Sequence, residues 1–149
     1  METYGLMILD NIGGMESKIS CICQYMYNYI IIEECLQELK ILFFNMAQDA
    51  MKHLNILMKL ALDLNMNPRW WTCLNDQCCY WSPSYLNYSQ DIKNIITNAL
   101  EIEYKIIIKL EKQINIIDDL SITCILKQII NDDLKNIKAL KKWQKKLVR

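Results

Sequence analysis

The stretch Ile122–Leu147, ITCILKQIINDDLKNIKALKKWQKKL, decides the fold. Ile122, Leu126, Ile129, Asp133, Asn136, Leu140, Trp143 and Leu147 recur in it at alternating gaps of three and four. That spacing draws one inward stripe along an α-helix, the a/d seam of a helix bundle. Two members of the stripe are polar. Asp133 and Asn136 stand where a packed seam calls for apolar side chains.

Three more seams read the same way. Met15, Lys18, Ile22, Tyr25, Tyr29 and Ile32 form the first, and Leu36, Leu39, Phe43, Met46, Ala50, His53, Leu57, Leu60 and Leu64 the second. Ile96, Leu100, Glu103, Ile107, Leu110, Ile114 and Ile117 form the third. Each carries its own polar intrusion: Lys18, His53 and Glu103. No glycine or proline separates the first two seams, but a single helix that long is out of scale for a compact domain. If two antiparallel helices set Lys18 level with Ala50 and His53, the chain turns near residue 35, beside Glu33-Glu34. If Glu103 is level with Asp133 and Asn136, it turns near residue 119, at Asp118-Asp119. Between the two hairpins lies Met66–Gln90, which holds both prolines (Pro68 and Pro83) and is rich in Asn, Ser, Trp and Tyr. It is long enough to run the length of a bundle. The expectation is one domain over residues 1–149: an all-α, antiparallel four-helix bundle with one long crossover, 66–90, between helices two and three.

Composition narrows the function. Lys plus Arg and Asp plus Glu number 17 each, so no excess charge draws the chain to nucleic acid. The lysines of the last helix (Lys135, Lys138, Lys141, Lys142, Lys145, Lys146) and Arg149 read as a solvated face and helix end. Glu2 and Asp10 replace the basic start of a signal peptide, and no apolar run approaches the ~20 residues of a membrane span. A cytoplasmic setting is expected. Of seven cysteines, Cys21, Cys23, Cys35 and Cys124 fall in helical patterns as small hydrophobes. Cys73, Cys78 and Cys79 share the crossover. Their spacing is not that of a zinc knuckle, and the odd total argues against a disulfide framework. Intermolecular cross-linking is the expectation for them. Crossover aromatics Trp70, Trp71, Tyr80 and Trp81 either form an oligomer contact or cover the bundle. There is no phosphate-binding glycine loop, no nucleophile elbow and no Cys/His pair, His53 being the single histidine.

Polar groups on four helices at one depth are how di-metal carboxylate bundles build their centre. The local sequences resemble the ferritin-like superfamily, and small ferritin-like proteins of endospore-forming bacteria in particular, related to manganese catalases and spore-coat ferritin-like proteins. The resemblance runs from about Tyr4 to Trp143. It rests on Ser17-Lys18 before Gln24-Tyr25, on Ala50-Met51-Lys52-His53-Leu54, on Ala99-Leu100-Glu101-Ile102-Glu103 and on Asp132-Asp133-Leu134-Lys135-Asn136. It also rests on Pro68-Arg69-Trp70, Tyr80-Trp81-Ser82 and Asn87-Tyr88 in the crossover. In that family the ligands are a Glu, an E-x-x-H, a Glu and a second E-x-x-H. Here the positions read Lys18, then Ala50 and His53, then Glu103, then Asp133 and Asn136. Two match by identity and Asp133 by chemistry.

The resemblance implies two alternatives. One is a non-catalytic structural or assembly protein, spore- or coat-associated, with no metal cofactor, self-associating or bound to an assembly partner. There the Lys18 ammonium replaces metal charge and neutralises Glu103 and Asp133, with His53 and Asn136 completing the hydrogen bonds. The other is an oxidoreductase acting on oxygen or peroxide, with iron or manganese on His53, Glu103 and Asp133. The ligand count favours the first.

Overall fold

The computed structural model describes residues 2–74 and 76–148. Its helices are α1 (Glu2–Gly13), α2 (Lys18–Ile31), α3 (Gln37–Asp63), α4 (Ile92–Ile116) and α5 (Leu120–Val148). Both turns fall where the levels of the polar residues set them, at 32–36 and 117–119. They are short, so α2 and α3 run in opposite directions, as do α4 and α5. Tyr4 meets Asp118, Asn11 meets Gln113 and Tyr25 meets Glu103, so α1 and α2 together also run opposite to α4.

The first arm is longer than its seam suggests. Ile8, Leu9 and Ile12 on α1 are fully buried, and the arm is broken between Gly13 and Lys18. The break displaces Met15 from the expected seam to the surface, where it is 58% exposed. Lys109 spans the break, donating to Asp10 Oδ2 at 2.9 Å and to the Glu16 carbonyl. Ser17 caps the restarted helix by accepting from the Ser20 amide.

Elsewhere the seams are the core. Leu39, Phe43, Leu57, Leu126 and Leu140 are sealed from solvent. The helix α2 buries a second stripe, Gln24 and Asn28, because the crossover lies over it. Gln24 exchanges two 2.8 Å hydrogen bonds with the backbone of Asn87.

The crossover is not a plain loop. Trp71–Leu74 (β1) and Gln77–Tyr80 (β2) form an antiparallel hairpin, with Asp76 in its turn at φ 61°, a conformation Asp tolerates. Trp71 packs on the core and Trp81 donates to Ser20 Oγ at 2.9 Å. Trp70 and Tyr80 remain exposed. Gly13 lets α1 approach the hairpin: a Cβ there would lie 2.4 Å from the Trp71 nitrogen.

The hairpin also corrects the expectation that the crossover holds no disulfide. Its register sets Cys73 opposite Cys78, and the two form an intrachain disulfide, leaving only Cys79 free among the three. A spacing of five had disguised a cross-strand pair. Cys21 is buried as expected, whereas Cys35 and Cys124 are exposed. No described helix is long and apolar enough to cross a membrane. The lysines of the α5 run are exposed; Arg149 lies outside the described residues.

Candidate functional site

The seam residues Lys18, Ala50, His53, Glu103, Asp133 and Asn136 are all buried in the bundle. Each stands on its helix because the flanking apolar positions fix which face turns inward. Lys18 opens α2, an unfavourable place for a cation beside a helix N-terminus. Asp133 offsets that. The Lys18 Nζ donates to Asp133 Oδ1 at 3.1 Å and Oδ2 at 3.0 Å, and both residues are at most 3% exposed. Burial works against the Lys18 charge, but Asp133, Cys21 and Glu103 outweigh it and hold the ammonium above its usual pKa.

Glu103 is bound differently from the expectation. It forms no ion pair with Lys18; the Tyr25 hydroxyl donates to its Oε1 at 2.5 Å. Burial, then the Asp133 charge, push the Glu103 carboxyl up to about 8, against the pull of Lys18 and Tyr25. Burial and the Asp133 charge thus favour the neutral form of Glu103. The hydrogen bonds that Lys18 makes go to the two oxygens of Asp133, and none reaches Glu103.

His53 also departs from the expectation. Its Nε2 lies 2.8 Å from Asp132 Oδ2, whereas Nδ1 is 3.9 Å from Asp133 Oδ1 and has no partner. Burial, then Lys18, lower its pKa, so the neutral ring donates through Nε2 to Asp132. Asn136 is buried one turn beyond Asp133 but takes no part in these hydrogen bonds, and Ala50 contributes only a methyl group to the core.

Two participants were passed over in the sequence. Tyr25 reads as a core aromatic, yet a sealed tyrosine hydroxyl needs a partner, and its seam faces Glu103. Asp132 lies just off the seam beside Asp133, close enough to reach across to His53. Cys21, one turn beyond Lys18, adds a buried thiol whose pKa burial pushes up to about 12.

The donor set does not fit a two-ion centre. Such a centre needs several anionic oxygens plus imidazoles converging on each ion. Here a lysine ammonium holds one carboxylate, a tyrosine caps the other, and the imidazole is turned toward Asp132. Among the described residues no group of three or more His, Cys, Asp or Glu side chains is arranged to hold a metal ion.

Against known structures, the bundle has clear counterparts. Two crystal structures of KatB, a manganese catalase from Anabaena, match it with TM-scores of 0.84 and 0.85, each at 19% identity. The first match covers 97% of this chain and 72% of that one, the second 98% and 73%. The chain therefore has the all-α, ferritin-like fold. No family model matches it, and no curated protein matches it.

Proposed function

We propose that this chain is a ferritin-like bundle that has given up its di-metal centre and serves as a structural or assembly subunit. The observation that carries the reading is the Lys18–Asp133 pair: a buried ammonium bonded to both oxygens of an aspartate that a di-metal centre would need as a ligand. Buried charges persist only when paired in this way. The resemblance to proteins of endospore formers supports a spore or coat setting.

Two atoms favour the alternative, an oxidoreductase with a reduced iron or manganese site acting on oxygen or peroxide. His53 Nδ1 and Glu103 Oε2 are buried without hydrogen-bond partners, the condition of atoms that face a missing ligand. Elemental analysis of the purified protein separates the readings. The structural reading expects far less than one iron or manganese per chain, and stoichiometric metal would overturn it. Light scattering tests the assembly role: a species larger than one chain is expected, and a strict monomer would contradict it. Fractionation of spores and growing cells tests the setting, with the protein expected in the coat fraction.

A further inference from the structure

The hairpin carries chemistry that the bundle core does not use. Side chains directly opposite each other on paired strands share a face, and faces alternate along a strand. The register pairs Trp71 with Tyr80 and Cys73 with Cys78, and pairs Thr72 with Cys79. One face of the hairpin therefore bears the disulfide with the Trp71–Tyr80 pair, over which the Arg69 guanidinium stacks 4.1 Å from the Trp71 ring. The opposite face bears Cys79, an exposed free thiol 3.5 Å from the Tyr85 hydroxyl. Cys78 is exposed, whereas Cys73 is only half-exposed. A strand that turns Cys79 away from Cys78 keeps the thiol from attacking its own neighbour's disulfide, so it is left for another molecule.

We propose that the hairpin is a thiol–disulfide exchange site that links copies of this chain covalently, an inference that rests on the assembly reading above. The Cys79 thiolate of one copy attacks the exposed Cys78 Sγ of the next. The Cys79–Cys78 bond forms, the Cys73–Cys78 bond breaks, and its electron pair leaves on Cys73 Sγ, which takes the proton that Cys79 gave up. One thiol is consumed and one released, so no oxidant is needed. Because attacker and target lie on opposite faces of the hairpin, the contact is head-to-tail. Such contacts extend into rings or filaments rather than closing as a two-fold dimer.

The test uses the full chain, purified with its disulfide intact and concentrated under anaerobic conditions with a chelator. A ladder of covalent multimers is expected on non-reducing gels. Peptide mapping should find Cys79 joined to Cys78 of another copy. The titratable thiol count should stay at the five of the starting chain (Cys21, Cys23, Cys35, Cys79 and Cys124). The variant Cys79→Ser should stay a single covalent chain with its Cys73–Cys78 bond retained. A thiol count that falls as the ladder grows, links mapped to Cys35 or Cys124, a ladder that survives Cys79→Ser, or no ladder at all would each overturn the proposal. Light scattering of Cys79→Ser keeps the two readings apart. A non-covalent oligomer without a ladder sinks the exchange site and leaves the assembly role standing, whereas a monomer counts against assembly itself.

Discussion

The Lys18 ammonium on α2 holds both carboxylate oxygens of Asp133 on α5, 115 residues away, at 3.1 and 3.0 Å. This one contact closes the break-bearing first arm onto the last helix and sets the electrostatics of the core. Removing one partner leaves the other charge buried and unpaired. Lys18→Met or Asp133→Leu alone should cost about 3–5 kcal/mol in urea unfolding. The double variant should recover most of that loss, since a well-packed apolar pair often equals or exceeds a buried ion pair. Additive losses would show that the two charges do not meet.

Glu103 gives the fold a pH response. Its carboxyl titrates near 8 in the folded chain against an ordinary value of 4.5. Between those values the folded state holds a proton that the unfolded state has released, so stability falls as pH rises from about 4.5 to about 8. His53 acts on the other side: its lowered pKa makes the contribution present above its ordinary 6.5 and lost as pH falls. Glu103→Gln should flatten this decline in urea midpoints measured across that range. Tyr25→Phe removes the one hydrogen bond to Oε1 and should move the decline to higher pH. An unchanged profile in Glu103→Gln would assign the decline to another group.

Gly13 is required by proximity rather than by backbone angle. A Cβ would meet the Trp71 nitrogen at 2.4 Å and the Trp70 carbonyl carbon at 2.5 Å, and neither belongs to a side chain that can swing aside. Gly13→Ala should cost about 1–3 kcal/mol as the hairpin is forced off α1. Amide exchange should rise in β1 before it rises in α3. Full stability in this variant would mean that the α1–β1 approach is looser than described.

The ligand set that the ferritin-like resemblance implies can be built onto these seams. The triple variant Lys18→Glu, Ala50→Glu and Asn136→His would set four carboxylates and two imidazoles, with His53, Glu103 and Asp133, at the seam positions. It should take up manganese or iron at a higher stoichiometry than the parent, measured by elemental analysis after dialysis. A folded triple variant that binds no more metal than the parent would show that backbone positions, and not only side-chain identities, have drifted.

Much was legible before the structure. The seam from Leu36 to Leu64 has every member buried or half-buried, and the four seams together position both interhelical turns. This follows because helical periodicity is local and burial of one face is the main force on it. The N-terminal arm was not legible, since Gly5, Gly13 and Gly14 mask a helix whose Ile8, Leu9 and Ile12 are core residues. The hairpin was hidden as well. A two-stranded pair depends on what it packs against, and that support is tertiary: the closeness of Gly13 to Trp71, the Thr72–Asp10 hydrogen bond and the packing of Trp71 on the core.

By itself, then, the sequence determined which residues are inside: Lys18, His53, Glu103, Asp133 and Asn136 follow from spacing alone. Only the tertiary structure decided their partners. Lys18 chooses Asp133 over Glu103, Tyr25 takes Glu103, His53 turns to Asp132, and Cys73 meets Cys78. Spacing fixes the face of a helix or strand, but hydrogen bonds and ion pairs act over about 3 Å. Which groups come that close depends on how the elements are rotated and set against each other, and that is settled by packing across the whole bundle.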